Sequence, residues 1–268
     1  MNKISMAVAC ALALASAQRT QAAEGETLEE VTVLADRAGA ATKTDTLLVE
    51  IPQSISVVTA EQIMERGATS YQEVFRYSAG VATELSGGDT RSDYFAARGF
   101  YLKQFLDGLN KTPKGLYGST TDVFTLERAE VLRGPSAVLY GAGSSGGLLN
   151  AVSKRPQWEA GGEIGLQYGN WDRKQLQADF TGPLSDEVAA RFVGVVRDGD
   201  LMWEGQANDK YVAMPSLTWK PGENTDVTLI GLYQKEDMGT QTYLPMSKTL
   251  QANADNPKIP IDFFVGEP

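Results

Sequence analysis

The sequence of 268 residues contains no histidine, and its only cysteine is Cys10. Without histidine the chain cannot build a Ser-His-Asp triad, an H-E-x-x-H zinc site or imidazole acid–base catalysis. Cys10 lies in an N-terminal segment that we expect to be removed, which excludes disulfides and thiolates from the mature chain. Catalysis would therefore rest on carboxylates, lysine or tyrosine. An exported carboxylate-based hydrolase remains a minor alternative, although no acidic pair stands out.

The sequence also lacks an apolar run long enough for a mature transmembrane helix, so any membrane crossing would use strands. Acidic residues exceed basic residues, 34 against 24, which gives a formal net charge of −10. Such a charge repels a phosphate backbone and argues against a nucleic-acid partner.

Residues 1–17 have the pattern of a secretory signal peptide. Lys3 supplies a positive charge, residues 4–15 are apolar, and residues 15–17 read Ala-Ser-Ala, a small-x-small cleavage site. A buried N-terminal helix is the less favoured alternative, because the apolar run ends without a cap. We therefore expect an exported protein.

Residues 18–44 are polar and have no apolar period, which predicts a flexible segment. The exception is EEVTVLA at residues 29–35, a β-prone stretch. Such a stretch can add a strand to an exposed sheet edge of another protein, or it can form an edge strand of the following domain.

The segment LRGPSAVLYGAGSSGG, residues 132–147, has the G-x-G-x-x-G spacing of a dinucleotide-binding loop at Gly141, Gly143 and Gly146. A Rossmann loop leads into a helix. The residues that follow, GLLNAVSKRP, leave no room for a helix before Pro156. We therefore expect tight turns between short strands, where glycine permits positive φ and close backbone approach.

Residues 45–156 show a mixed α and β pattern punctuated by glycine. Thr59 and Ser70 are predicted N-caps of two short helices, the second with Tyr77 on its apolar face. Asp107-Gly108 predicts a tight hairpin. The predicted strands are Ile55–Val58, Tyr94–Arg98, Tyr101–Leu106, Leu126–Leu132 and Leu148–Ser153.

Residues 157–268 change to strands of about ten residues with one apolar and one polar face. Their connections are alternately short and long, and aromatics stand near strand ends. This pattern is typical of a transmembrane β-barrel. A soluble sandwich also alternates, but strand length, aromatics and export favour the barrel. The predicted strands are Glu163–Gly169, Arg173–Gly182, Val188–Arg197, Tyr211–Lys220 and Asp226–Gln234.

Two blocks, DYFAARGFYLKQFLDGL and FTLERAEVLRGPSAVLYGAGSSGGLLNAVSKRP, resemble the plug signature of TonB-dependent ferric-siderophore receptors of the bacterial outer membrane. The resemblance covers residues 29–237 in order: a TonB-box-like EEVTVLA, the plug opening IPQSISVVTAEQI, the RGF turn, the LRGP-to-SKRP block and barrel strands. One departure is GSSGG, where the family commonly has S-P-G-G; Ser145 in place of proline should loosen that turn slightly.

The resemblance implies an α+β plug domain, residues 45–156, followed by the first strands of an antiparallel transmembrane β-barrel, residues 157–268. The chain supplies about five strands, whereas the family's barrel has about 22. Open sheet edges leave backbone groups unsatisfied in lipid. We therefore expect the N-terminal part of a longer receptor; a short standalone protein would need partner chains to close its edges.

The resemblance also implies the function: a receptor and transporter, not an enzyme, that binds a ferric siderophore and imports it with energy from TonB, driven by ExbB and ExbD. Outer-membrane lipid would surround the barrel. The ferric siderophore is the transported ligand, and no catalytic residue, resident metal or covalently bound cofactor is implied. A TonB-dependent receptor for cobalamin or a glycan is the alternative.

The same resemblance assigns candidate residues. Those expected to contact the ligand are Arg98, Gly99, Phe100, Lys114 and Tyr117. The TonB box is expected to comprise Glu30, Val31, Thr32, Val33, Leu34 and Ala35. Arg128 and Arg133 are expected to hold the plug to the barrel. For Arg98, holding the plug to the barrel is the alternative to contact with the ligand.

Overall fold

A computed structural model describes residues 53–85, 91–113, 118–134, 144–222, 224–240 and 243–265. The predicted signal peptide, the TonB box at 30–35, and Lys114, Tyr117, Gly141 and Gly143 lie outside the described residues. Within the described ranges, no helix is both long and apolar enough to cross a lipid bilayer.

The first part of the described chain, here called the plug, runs from β1 to β8. Five of its strands form one sheet in the order β1-β7-β8-β5-β6, in which only the β5–β8 pair is parallel. Strands β2, β3 and β4 form a small antiparallel sheet. The elements are β1 (Ser54–Thr59), α1 (Ala60–Glu65), α2 (Tyr71–Val74), β2 (Val81–Thr83), β3 (Phe95–Ala97), β4 (Phe100–Tyr101), β5 (Lys103–Leu106), β6 (Leu109–Asn110), a 3-10 helix (Val123–Thr125), β7 (Leu126–Arg133) and β8 (Gly147–Ser153).

Local sequence signals account for the caps and the hairpin of the plug. The Thr59 hydroxyl accepts from the Gln62 N–H and the Gln62 side chain accepts from the Thr59 N–H, both at 3.3 Å, which forms a capping box at the start of α1. The Ser70 hydroxyl caps α2. Asp107 and Gly108 both have positive φ, +51° and +79°, as a tight two-residue hairpin requires. These predictions are confirmed.

Helix α2 is shorter than its sequence pattern predicts. The pattern placed Tyr77 on the apolar face of a helix, but α2 ends at Val74 and Tyr77 is 76% exposed. Phe75 has non-helical dihedral angles at the C-cap and is fully buried. Burying this ring in the plug core outweighs one more helical turn, because a short helix gains little from its own hydrogen bonds.

The hydrophobic core of the plug contains three aromatic rings. Tyr71, Phe75 and Phe95 pack edge to face, with ring centroids 5.3–5.8 Å apart. Each such pair contributes about 0.5–1.5 kcal/mol beyond its buried area. The other buried members of this cluster also belong to the plug. The core is therefore built from plug residues, and contacts with the rest of the chain are additional to it.

The glycine-rich segment enters a strand and not a helix. Gly147 is the first residue of β8 and pairs with Arg133 of β7. Its φ is +125°, and a Cβ there would overlap the Leu132 carbonyl oxygen. At Gly146 a Cβ would stand 2.5 Å from the Ala97 carbonyl oxygen. These two glycines therefore allow close backbone packing in the plug sheet, and the strand β8 excludes a Rossmann loop.

The second part of the described chain, here called the wall, is an open antiparallel sheet in the order β13-β12-β11-β10-β9. Strand β14 pairs with the first half of β12 and β13 with its second half, so β13 and β14 share one edge position and the sheet has five positions. The strands are β9 (Gly161–Tyr168), β10 (Lys174–Ser185), β11 (Val188–Asp198), β12 (Asn208–Gly222), β13 (Thr225–Ile230) and β14 (Tyr233–Met238), and a 3-10 helix (Met246–Lys248) follows.

The two faces of the wall are arranged opposite to those of a soluble sandwich. The face that contacts the plug is largely polar, and its buried members include Gln175, Asp179, Arg197, Lys210, Ser216 and Thr218. The outer face is apolar and exposed, and its members include Leu166, Phe192, Leu217, Trp219 and Leu229. An apolar outer face over alternating strands is the arrangement that lipid requires. The fold is thus an α+β plug followed by strands of a transmembrane β-barrel.

Candidate functional site

The plug contacts the inner face of the wall along a surface that is here called the seam. Buried charged side chains link the plug to the wall on this surface. Its apolar portion is small. Phe124, in the 3-10 helix of the plug, packs against Val193, Val195, Val212 and Met214 of β11 and β12. Ion pairs and hydrogen bonds also cross the seam, and two groups of them are described below.

The first group lies where the plug joins the wall. Lys154, one residue after β8, is 7% exposed; its Nζ lies 2.7 Å from Asp179 Oδ2 and 4.2 Å from the Phe124 ring centroid. Arg191 of β11 donates to both oxygens of the same carboxylate, at 2.8 and 2.7 Å, and to the Arg155 carbonyl oxygen at 2.8 Å. Asp179 thus neutralises one plug cation and one wall cation, which fixes the start of the wall against the end of the plug.

The second group converges on Thr120. The Lys210 ammonium donates to its hydroxyl at 2.8 Å, and that hydroxyl donates to Glu236 Oε1. The Thr120 N–H donates to Glu236 Oε2 at 3.4 Å, and its carbonyl oxygen accepts from Lys111 and Gln234, both at 2.9 Å. All three polar groups of this one plug residue are therefore bonded to side chains of β12 or β14.

Asp93 is a buried carboxylate beside this group. It is 3% exposed, accepts from the Thr121 N–H at 2.8 Å and borders a cavity of about 170 Å³ between plug and wall. Burial raises the pKa of the Asp93 carboxyl to about 6, although the Thr121 N–H and the positive charges of Lys111 and Lys210 oppose the shift; Glu236 adds to it. Burial also lowers the pKa of Lys111. The seam thus contains a carboxylate that is costly to ionise.

We expect Asp93→Asn to stabilise the protein at neutral pH and to have little effect in acid. The pKa of about 6 in the folded state exceeds an unfolded value of about 3.9, so the folded state binds this proton more tightly. The cost of ionising Asp93 is absent below about pH 4, grows between about pH 4 and 6, and reaches about 3 kcal/mol above that range.

The measurement is the apparent Tm of both proteins in detergent at about pH 4.5 and about pH 7.5. The gap between variant and wild type should widen with pH, since this cost is absent below about pH 4 and complete above about pH 6. Ser92→Ala is the matched control, because Ser92 is the fully buried neighbour and carries no ionisable group. A gap that is the same at both pH values would contradict the prediction.

The predicted ligand residues Arg98, Gly99 and Phe100 form the turn between β3 and β4. Arg98 and Gly99 both have positive φ, +53° and +81°, and all three residues are exposed. The Arg98 guanidinium lies beside Gly134, where a Cβ would be 3.6 Å from its Nη1. Their contact with ligand stays a prediction, and so does that of Lys114 and Tyr117, outside the described residues.

Arg128 and Arg133, predicted to hold the plug to the barrel, differ in their contacts. Arg128 pairs with Glu130 at 2.8 Å and with Glu127 at 3.2 Å, both on its own strand. Arg133 donates to the Ser56 hydroxyl at 2.9 Å, and its Nε and Nη2 are buried without a partner among the described residues. Burial and the positive charge of Arg98 lower the Arg133 pKa. Their anchoring role stays a prediction.

Sequence reasoning missed the seam residues. The signal available was the set of charged residues on the polar face of the predicted barrel strands, chiefly Asp179, Arg191 and Lys210. A charge on the inner face of a barrel strand needs a partner, whereas a charge on a soluble sandwich faces water. The residues that these charged side chains contact are distant in the sequence; Thr120 and Glu236, for example, are 116 positions apart. The sequence alone therefore did not reveal the pairs.

Comparisons with known proteins match this arrangement. The family model "TonB-dependent Receptor Plug Domain" matches residues 48–148. The ferrichrome outer membrane transporter/phage receptor of Escherichia coli K12 is 34% identical over 243 residues, which are 88% of this chain and 32% of that protein. The ferrioxamine receptor of Yersinia enterocolitica is 39% identical over 207 residues, 74% of this chain and 29% of that protein. The chain thus spans about a third of the length of these relatives.

A solved structure shares the fold as well. The ferripyoverdine receptor of the outer membrane of Pseudomonas aeruginosa, bound to ferripyoverdine, superposes with a TM-score of 0.68 at 29% identity, over 74% of this chain and 27% of that one. A plug seated on the polar face of a strand wall, matched in sequence and in fold by these receptors, makes this chain a member of the TonB-dependent receptors of the bacterial outer membrane.

Proposed function

We propose that the protein containing this chain binds a ferric siderophore at the cell surface and imports it with energy delivered by TonB. The observation that carries the proposal is the seam. A plug held by polar contacts can block a pore and still be displaced, because water can replace a hydrogen bond to a charged group at a net cost of about 1.5–3 kcal/mol. A plug held by a large apolar interface would not separate in this way.

The proposed ligand is an intact iron chelate. Relatives named for ferrichrome and ferrioxamine support this class. A chelate arrives with its iron already coordinated, so a chain without histidine can bind it. We assign contact with it to Arg98, Gly99, Phe100, Lys114 and Tyr117. Arginine and lysine attract an anionic chelate, and tyrosine offers a flat apolar face with a hydroxyl.

The proposed partners are TonB, with ExbB and ExbD, and the outer-membrane lipid. TonB would pair as an added strand with residues 30–35, since EEVTVLA is β-prone within a polar segment. Lipid would cover the apolar outer face of the wall. The Nε and Nη2 of Arg133 have no partner among the residues that the structure describes, and we propose that they join the plug to the barrel.

The division of the chain belongs to the same proposal. It comprises a signal peptide at 1–17, a periplasmic segment at 18–44, the plug at 45–156 and the partial barrel at 157–268. The family match at 48–148 lies inside the proposed plug. The family consists of receptors and transporters. We propose that this protein likewise moves its ligand unchanged and has no catalytic residue or covalently bound cofactor.

The test is the uptake of radio-iron by cells that express the complete gene, lack their own siderophore receptors, and either contain or lack TonB. Ferrichrome, ferrioxamine and ferripyoverdine are supplied in parallel. We expect one chelate class to accumulate only in cells with TonB, and to bind at the surface of both strains. Accumulation of cobalamin or of a glycan instead, or of ferric chelates without TonB, would overturn the assignment.

A further inference from the structure

Two arginines of the wall share one neutral acceptor beside the cavity between plug and wall. Arg173, which directly precedes β10, donates from its Nη2 to Gln175 Oε1 at 3.2 Å, and Arg197 of β11 donates from its Nε to the same oxygen at 2.8 Å. Arg197 is 5% exposed. Burial and the positive charge of Arg197 lower the pKa of Arg173 to about 10. An amide dipole does not neutralise two guanidinium charges, so this arginine pair needs negative charge nearby.

The described residues supply little negative charge at contact distance from this pair. Asp122 is the one carboxylate among them at ion-pair distance: its Oδ2 lies 3.9 Å from Arg197 Nη2 and also 3.6 Å from Lys210 Nζ. Lys210 pairs with Glu236 as well, at 3.0 Å. Within the described ranges, Arg173 therefore has no carboxylate in contact, and Arg197 shares a distant one with Lys210.

Both arginines and Lys210 line the cavity of about 170 Å³ that borders Asp93, and Ser70 and Tyr71 line it from the plug. The Ser70 hydroxyl accepts from the Glu73 N–H at 3.4 Å and keeps its own proton for donation. The Tyr71 hydroxyl is buried and has no hydrogen-bond partner in the described part of the chain, although buried hydroxyls are normally paired. A cavity of this volume holds several waters, and therefore also one tetrahedral oxyanion.

The carboxylates that line this cavity oppose an anion to different degrees. Glu73 and Glu84 both accept from Arg76, at 3.3 and 2.7 Å, which offsets part of their charge. Asp93 has no such cation in contact among the described residues; it accepts from the Thr121 N–H at 2.8 Å. Asp93 is therefore the carboxylate whose removal should favour an anion most.

We propose that this cavity binds one small oxyanion of the phosphate or sulfate class, held by Arg173 and Arg197 of the wall and by the Ser70 hydroxyl of the plug. Guanidinium groups bind such anions through parallel charge-assisted hydrogen bonds. The bound anion joins the plug to the wall, and it stabilises the folded receptor by mass action. This inference goes beyond the proposed function, because neither a chelate nor TonB takes part in it.

Calorimetric titration with sodium sulfate tests the inference on the receptor expressed from its complete gene and purified in detergent. Sodium chloride at equal ionic strength is the reference, and sulfate is chosen because its charge is constant near neutral pH. We expect saturable binding of one sulfate, and an apparent Tm that rises with sulfate and not with chloride. Arg173→Gln and Arg197→Gln should each raise Kd at least about tenfold, because each removes a charge-assisted contact. Asp93→Asn should lower Kd about threefold, since it removes a negative charge that borders the same cavity.

Lys174→Gln is the matched control for Arg173→Gln. Lys174 is the next residue in the chain, its side chain is 33% exposed, and it pairs with Asp172 at 2.7 Å. This variant should bind sulfate with a Kd within about twofold of wild type, because an exposed ion pair contributes little.

Three results would overturn the inference. They are an equal response of the apparent Tm to sulfate and chloride, a Kd of Arg173→Gln within about twofold of wild type, and a Kd of Asp93→Asn above that of wild type. Iron uptake enters none of these measurements, so the anion site and the proposed function stand or fall separately.

Discussion

Replacing Val33 by proline is expected to abolish uptake of the ferric siderophore and to leave its binding at the cell surface intact. Proline removes a backbone N–H and cannot donate within a strand ladder. A partner that adds a strand to residues 30–35 gains about 0.5–1.5 kcal/mol from each main-chain hydrogen bond, and such contacts depend little on side chains. Val33→Thr is the control, because threonine is also β-branched and keeps the N–H.

The measurement is radio-iron uptake and surface binding in the same cells. Uptake by Val33→Pro should fall to the level of cells without TonB, while Val33→Thr should take up iron at close to the wild-type rate. Val31→Pro should behave like Val33→Pro. Retained uptake in either proline variant would contradict both the location of the TonB box and the use of main-chain pairing.

Gly147→Ala is expected to destabilise the plug by at least about 3 kcal/mol. The residue pairs with Arg133 at the end of the β7–β8 ladder and has a φ of +125°, which L-residues with a side chain rarely adopt. The added methyl would overlap the Leu132 carbonyl oxygen and stand 3.0 Å from Arg133 Cα. Both neighbours are backbone atoms of β7, so relief requires moving a strand that is paired on both sides.

Gly67→Ala is the matched control for that substitution. Gly67 also has positive φ, +63°, but a Cβ there meets nothing within 4 Å. It should cost only the conformational penalty of about 1–2 kcal/mol. The readouts are the amount of receptor in the outer membrane and its apparent Tm in detergent. Gly147→Ala should lower Tm more than Gly67→Ala does. A Tm for Gly147→Ala equal to that of Gly67→Ala would contradict the steric argument.

The caps and the hairpin were predictable because their causes are local. Thr59 and Gln62 are three residues apart, and Asp107-Gly108 determines its own turn. The extent of α2 was not predictable, because Phe75 leaves the helix to join Tyr71 and Phe95 in the core. Periodicity reports which side of a segment is apolar, whereas the end of a short helix is decided by packing against residues distant in sequence.

For the candidate site, the sequence showed which residue types are present but not which side chains contact each other. It pointed to residues 30–35, to the RGF turn and to the arginines of β7, through motifs of a few neighbouring residues. It did not reveal that Lys154 and Arg191 share Asp179, or that Lys210 and Glu236 share Thr120. A charged side chain on a strand indicates only that a counter-charge is needed.

The sequence by itself determined export, the order of plug and wall, and the alternation that makes the strands, because each depends on composition or on short-range periodicity. Only the tertiary structure decided which charges meet across the seam. Thr120 lies 90 residues before Lys210 and 116 before Glu236. Residues so far apart are brought together by the closure of the fold, and no local preference of the chain specifies that contact.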